Sequence, residues 1–239
     1  MTRIAIMQPY FMPYAGYYRL LQAADCFVLY DCVQFPRRGR VHRCALKARA
    51  GEDGWLTLPL ERMPRDTLIK DMRLAKTVAA LMPERLARFG LSRAALDAVD
   101  PALGAHLYFD DKQADASLHL VDYLERNLRL FARLFDLPAR IVRSSSLDID
   151  ENLRGEARIL AITKSLGGDR YVNAPGGRAL YNPASFAQAG VVLEFMTAYD
   201  GKFLHLPQDL LGHGVTKVAD DIRQTTQFGA PASAGLAGK

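Results

Sequence analysis

Residues 1–34 read as strand, aromatic loop, helix, strand, and no other stretch narrows the fold as much. Arg3–Gln8 is apolar and β-prone, Tyr17–Ala24 has a helical pattern, and Cys26–Tyr30 is an unbroken apolar run. Such a run suits a strand covered on both faces. Two strands joined by a helix imply a right-handed crossover and a parallel sheet. The loop between them, Met7–Tyr18, holds Gln8, Pro9, Tyr10, Phe11, Pro13, Tyr14, Gly16, Tyr17 and Tyr18. Prolines and aromatics at this density make a rigid pocket wall, at the strand end where open α/β sheets place ligands.

The same alternation returns late in the chain. Ala139–Arg143 reads as a strand leading into Ser144–Ser146, and Glu151–Leu166 as a helix stopped by Gly167 and Gly168. A short strand follows at Arg170–Asn173, then the loop Ala174–Arg178, a short helix at Pro183–Ala189 and a strand at Val191–Phe195. Asp209–Leu211 and Val215–Thr226 give a last helical region. Between the two α/β stretches the pattern changes. Arg37–Gly54 is basic and reads as irregular, Trp55–Leu60 and Ile69–Leu74 as strands, and Val78–Phe89, Ser92–Val99 and Ser117–Phe135 as helices. In the last of these, Leu118, Val121, Leu124, Leu128, Leu130, Phe131 and Leu134 form a stripe that belongs in a core. The expected organisation is one α/β domain over residues 1–228 with a helical insertion at about 75–135, and a disordered Gly/Ala-rich tail at 229–239.

Forty-nine per cent hydrophobic and 24% charged residues place the chain among ordinary globular proteins. No apolar run reaches the roughly 20 residues that span a bilayer, and the N-terminus has no signal-peptide pattern. Stable membrane insertion is therefore not expected, and a cytoplasmic location is. The three cysteines, Cys26, Cys32 and Cys44, lack CxxC spacing. Cys32, His42 and Cys44 are three ligands short of a fourth, so no metal site is expected. The net charge of +5 gathers in Arg37, Arg38, Arg40, Arg43, Lys47 and Arg49. This run is either a solvated face or an anion site, and without a nucleic-acid motif it suits a small anionic ligand better than a polynucleotide.

Three loops, Met7–Tyr18, Tyr30–Arg43 and Asn173–Arg178, follow strands and would emerge together at one edge of a parallel sheet. Gly16 at the head of the first helix either admits a phosphate or lets Tyr17 pack closely, and the sequence leaves both open. Asp31 ends an apolar strand, where a carboxylate needs a partner. With Gln34 and His42 it forms the candidate catalytic set. Gln8, Gly16, Tyr17, Gly176, Gly177 and Arg178 are candidates to hold a nucleotide. Tyr10, Tyr14, Arg38, Arg43, Ser145 and Asn173 are candidate substrate contacts. Ser144–Ser146 either cap the next helix or bind phosphate. No G-x-S-x-G elbow, Walker loop or dinucleotide fingerprint is present.

The segments IAIMQPYFMPYAGYYRLLQAAD, FVLYDCVQF, WLTLP, IVRSSSL and GGDRYVNAPGGRALYNPASFAQAGVVLEF resemble, in order, the WbqC-like protein family. The resemblance covers nearly the whole chain to about Phe228. Cys32 stands where relatives commonly have a second acid, and His205-Leu206 where many have serine-isoleucine. The family resemblance implies bacterial O-antigen or other surface-polysaccharide biosynthesis. A weaker resemblance links Tyr14-Ala15-Gly16-Tyr17 to the HxGH turn of pantothenate synthetase and related nucleotidyltransferase-like enzymes, with tyrosines replacing both histidines. Gln34-Phe35 falls where that synthetase has a substrate-binding Gln-Phe. Together the resemblances imply a Rossmann-like, nucleotidyltransferase/HUP-like fold with a mostly parallel sheet. They imply N-acylation of a nucleotide-linked amino sugar by an amino acid or other carboxylate, activated as an adenylate with ATP and magnesium or supplied as a thioester. A non-catalytic nucleotide-sugar-binding protein and a glycosyltransferase are the alternatives. The oligomeric state is open.

Overall fold

The computed structural model describes residues 1–109 and 119–229. Its centre is a five-stranded sheet of β1 (Arg3–Met7), β2 (Cys26–Leu29), β5 (Arg140–Arg143), β6 (Arg170–Asn173) and β7 (Val192–Phe195). Their order is β5-β2-β1-β6-β7 and every pairing is parallel. The fold is thus α/β and Rossmann-like, with the strand order reversing between β1 and β6.

Alternation along the strands builds two cores, one on each face. Ile4 and Ile6 of β1 and Cys26 and Val28 of β2 face a cluster with Ile159 and Ile162 of α6 (Gly155–Ser165) and Phe186 of α7 (Pro183–Gln188). Ala5, Phe27 and Leu29 point the opposite way, against Tyr17, Tyr18, Leu20 and Leu21 of α1 (Ala15–Ala23). The second core continues into α5 (Leu120–Leu134), whose Leu124, Leu128 and Phe131 are buried. The apolar stripe of that helix is core, as its spacing predicts. Ser117 and Leu118, the expected start, lie outside the described residues, as do 230–239 of the expected tail. At the C-terminus α8 (Leu206–His213) leads into α9 (Val215–Thr225), which packs on α1.

The stretch between β2 and β5 departs most from expectation. Residues 37–54 are not wholly irregular: β3 (Arg43–Lys47) pairs antiparallel with β4 (Asp53–Thr57), burying Cys44, Leu46 and Leu56. The Gly51 turn, at φ +86°, closes this hairpin. Ile69–Leu74 is not a strand. Ile69–Asp71 is a 3₁₀ turn whose amides are spent on loop carbonyls, Ile69 N on Val33 O and Lys70 N on Asp31 O. Beyond the turn Arg73 and Leu74 make isolated antiparallel bridges to His119 and Leu60, so the expected strand is interrupted rather than continuous. The helices α2 (Val78–Ala87) and α3 (Arg93–Val99) form where expected. They are followed by α4 (Pro101–Tyr108), which the sequence reading missed although Asp100 caps it and Pro101 opens it. The helix expected from Glu151 begins at Gly155, and the loop after β6 winds into a 3₁₀ turn, Pro175–Leu180.

His106 of α4 stacks on Tyr123 at 4.2 Å, and Phe109 lies on the same ring at 4.7 Å. Burial first, and the field of Arg126 second, push the His106 pKa down to about 3. The folded chain therefore carries this ring neutral, while the unfolded chain takes up a proton below about pH 6.5. Its contribution to stability is complete above that pH and is lost as the pH falls toward 3. Between pH 7 and 5 the expected loss is about 2 kcal/mol, read as a shift in urea midpoint. His106→Phe should flatten the dependence, and an unchanged slope in that variant would rule this origin out.

Candidate functional site

The carboxyl edge of the sheet is where β2 hands over to its loop, and the loop is tied down there by Asp31. This side chain is wholly buried. Its Oδ1 accepts from Ser144 Oγ at 2.7 Å and Ser145 N at 2.9 Å, and its Oδ2 accepts from Ser145 Oγ at 2.6 Å. Ser144 Oγ in turn accepts from the Asp31 and Cys32 amides. The serine run after β5 does not cap α6, and its first two hydroxyls are engaged by this carboxylate. It solvates a buried carboxylate across 113 residues of sequence, joining neighbouring strand ends.

Beside this knot lies a cavity of about 530 Å³. Tyr30, Cys32 and Gln34 line it from the β2 loop, Lys70 and Asp71 from the 3₁₀ turn, and Glu151, Arg154 and Arg158 from the approach to α6. Among the described residues, Lys70, Arg154 and Arg158 have no carboxylate within ion-pair distance, and Asp71 and Glu151 have no cation. Five charged side chains facing one space without neutralising one another leave both signs available to a ligand. The Tyr30 hydroxyl stays protonated there, its pKa raised by burial against the opposing pull of Arg158. Gln34 also lines a second cavity of about 530 Å³ with Phe35, Pro36, Arg37, Arg38 and Arg65. Its Nε2 donates to Arg65 O at 2.8 Å, fixing the amide between the two spaces.

Of the residues singled out in sequence, Gln34 lines both cavities, Arg38 lines the second, and Ser145 stands behind the first. The others fall elsewhere. His42 packs its ring on Phe35, and burial together with Arg43 lowers its pKa to about 4. Arg43 lies over the Trp55 ring at 4.3 Å and donates to Gly39 O and Arg38 O. Asn173 accepts from the Ala174 amide, and its side chain would meet any Cβ added at Gly177. Arg178 lies over Phe195, and Gly176 is exposed beside it. Tyr10 and Tyr17 rings pack at 5.2 Å, and Tyr17 Oη donates to Gln8 O. Lys70, Asp71, Glu151, Arg154 and Arg158 were not anticipated. The i, i+4 pair Arg154/Arg158 at a helix start carried a sequence signal, whereas the convergence of the other three depends on the fold.

The turn that resembles HxGH is closed. An added Cβ at Gly16 would lie 2.3 Å from Tyr14 Cε2 and 2.7 Å from Tyr199 Cγ. The Ala15 amide, which would greet a phosphate at the head of α1, donates to Phe203 O at 3.0 Å. The head of α1 is therefore taken up by aromatic packing and by this backbone bond. Among the described residues no group of three or more His, Cys, Asp or Glu is placed to hold a metal ion. Among them, too, no helix is long and apolar enough to cross a membrane.

Fold and cavity together define a Rossmann-like α/β protein with a mixed-charge site at the carboxyl edge of its sheet. The sequence profile of the WbqC-like protein family matches residues 8–208, and the chain belongs to that family. It is also 24% identical over 207 residues to Rv1507c, an uncharacterized protein of Mycobacterium tuberculosis, covering 84% of each chain. No solved structure matches.

Proposed function

We propose that the protein is an enzyme of bacterial surface-polysaccharide biosynthesis that N-acylates a nucleotide-linked amino sugar with an amino acid or another carboxylate. The supporting observation is the cavity in which three cations and two carboxylates, without ion pairs among the described residues, face one another. A nucleotide-linked amino sugar carries both complements, phosphate oxygens for Lys70, Arg154 and Arg158 and an amine for Asp71 and Glu151. The polysaccharide context is the one the family resemblance implies.

In this reading Gln34 orients the reacting carbonyl, and the adjoining cavity of Arg38 and Arg65 receives the anionic part of the acyl donor. The amine attacks the activated carboxyl, a C–N bond forms, the leaving group departs with its electron pair, and Asp71 or Glu151 accepts the amine proton. The closed α1 turn favours a donor activated before it reaches this chain. Asp31 and Ser145 hold the β2 loop in place, while Tyr14, Gly16 and Tyr17 form the wall behind it. The work is done in the cytoplasm by one α/β unit with its helical insertion.

A second reading, a nucleotide-sugar-binding protein without chemistry, is favoured by the enclosure of Asp31, whose carboxylate is fully used inside the protein. One experiment separates the two. The protein is incubated with uridine- and thymidine-diphosphate amino sugars plus either acyl thioesters or free amino acids with ATP, and the sugar is followed by mass spectrometry. An amide-bearing sugar, suppressed at least tenfold in the Asp71→Asn/Glu151→Gln double variant, is expected. Tight sugar binding with no mass change in any arm would establish the second reading.

A further inference from the structure

We infer that the head of α6 is a diphosphate-binding subsite in which Arg158 is the specificity-determining group. This rests on the proposed nucleotide-sugar reading and names the part of that ligand it selects. Arg158 is 6% exposed. Its Nη1 donates to Asp150 O at 3.1 Å, and its Nε is buried without any partner among the described residues. A buried guanidinium with one carbonyl for company is costly, and native proteins normally pair such a group. It lines the cavity, so the missing partner is an anion arriving there.

The surroundings say which anion. Arg158 lies one turn into α6, whose N-terminus has no side-chain cap. The acid of the first turn, Glu156, is turned away to accept from the Asn182 amide at 2.6 Å. The positive end of the helix is thus left to a ligand. Gly155, at φ +52°, starts the helix with nothing within 4 Å of the place a Cβ would take. Arg154 adds a second guanidinium whose bonds go to the Glu151 and Leu153 carbonyls, leaving its charge unneutralised. Lys70 faces them from the 3₁₀ turn. Three cations and a helix end exceed what one phosphate monoester needs, and they match the paired charges of a diphosphate. A guanidinium offers a planar fork to two oxygens where an ammonium offers a point charge, so Arg158 reads geometry as well as charge.

Cys32 sharpens the selection. It lines the same cavity, where a carboxylate would oppose a bound anion. The thiol leaves the site more cationic than such an acid would. Introducing one by Cys32→Asp should weaken diphosphate binding.

The test is calorimetric titration of the whole chain with uridine diphosphate, uridine monophosphate, inorganic pyrophosphate and orthophosphate at fixed low salt. Uridine diphosphate and pyrophosphate should bind at least tenfold tighter than the monophosphate and orthophosphate, respectively. Arg158→Gln should lose at least 30-fold for the diphosphates, and Arg158→Lys should recover only a minor part because the fork is gone. Circular dichroism checks the fold of each variant. Should Arg158→Gln not fold, Arg154→Gln at the exposed rim provides the second reading, with a loss of five- to tenfold expected. Equal affinity for mono- and diphosphates, or folded arginine variants that bind as wild type does, would overturn the inference. Diphosphate selectivity without acylated product would leave the subsite standing and remove the acylation. Acylation with an unaltered KM in Arg158→Gln would do the reverse.

Discussion

Replacing Asp31 by alanine should lower the stability of the protein by about 3 kcal/mol, a fall of about 6–12 °C in Tm for a chain of this length. The carboxylate is wholly buried and accepts four hydrogen bonds, two from serine hydroxyls, one from an amide and a long one of 3.9 Å from the Cys32 thiol. Alanine leaves Ser144 Oγ without an acceptor in a place where it is 1% exposed. Ser145 is more exposed, so water recovers part of what it loses. Asp31→Asn should cost only about 1 kcal/mol, because one carbonyl oxygen still accepts and the Ser145 hydroxyl can turn to receive the new NH₂. Thermal or urea unfolding of the two variants measures both numbers. A carboxylate serving as a proton acceptor at the site would reverse the ranking of effects: Asp31→Asn would abolish turnover with Tm unchanged. The enclosure of both oxygens by protein donors predicts the first outcome. Ser144→Ala, which removes one of the same bonds from the other side, should reproduce part of the loss and show non-additivity with Asp31→Ala.

The same residue shows how far the sequence could be read. An aspartate ending an apolar strand requires a partner, and that much follows from the residues alone. The partner lies 113 positions away, and no local pattern identifies it. The serines after β5 are therefore open to two local readings, cap or phosphate site, and the bonds that two of them make to Asp31 belong to neither. Patterns confined to one element were legible: the alternating faces of β1, the buried run of β2 and the stripe of α5 each report a periodicity that burial enforces. The hairpin of β3 and β4 was half legible, because basic residues on its outward positions hide the inward Cys44 and Leu46. Ile69–Leu74 misled for the opposite reason, since alternation is visible and the 3₁₀ turn that interrupts it, held by the carbonyls of Asp31 and Val33, is not. At the site the difference is sharper. Gln34 and Arg38, which line the candidate cavities, stand out in the sequence because they follow a strand and lie in a charge run. Lys70 and Asp71 lie in a segment that reads as a strand and Glu151 at the start of one that reads as a helix, and the tertiary fold brings them to one cavity.

Gly16→Ala carries the second large expected effect, a loss of about 2–3 kcal/mol, and it decides what the aromatic N-terminal loop is for. The new methyl would press on Tyr14 Cε2 at 2.3 Å and on Tyr199 Cγ and Cβ at 2.7 and 2.9 Å. Tyr14 can swing its ring. Tyr199 is held at its hydroxyl: Oη donates to Asp221 Oδ2 of α9 at 2.6 Å and accepts from the Phe203 amide at 3.2 Å, with the Arg19 guanidinium 5.7 Å from its ring centre. Moving Tyr199 to admit one methyl therefore strains the contact between α1 and the C-terminal helices. If packing is the cause, removing an aromatic roof relieves it. Tyr14→Ala and Gly16→Ala should then cost at least 1 kcal/mol less together than the sum of their separate effects, measured as urea midpoints at constant m-value. A glycine kept for phosphate approach predicts a different set of results, with stability unchanged and the KM for a nucleotide raised. The Ala15 amide already bonded to Phe203 O argues for packing. In that case Tyr14 and Tyr17 pack the turn, and the proposed anion site lies on the opposite face of the sheet, at the head of α6.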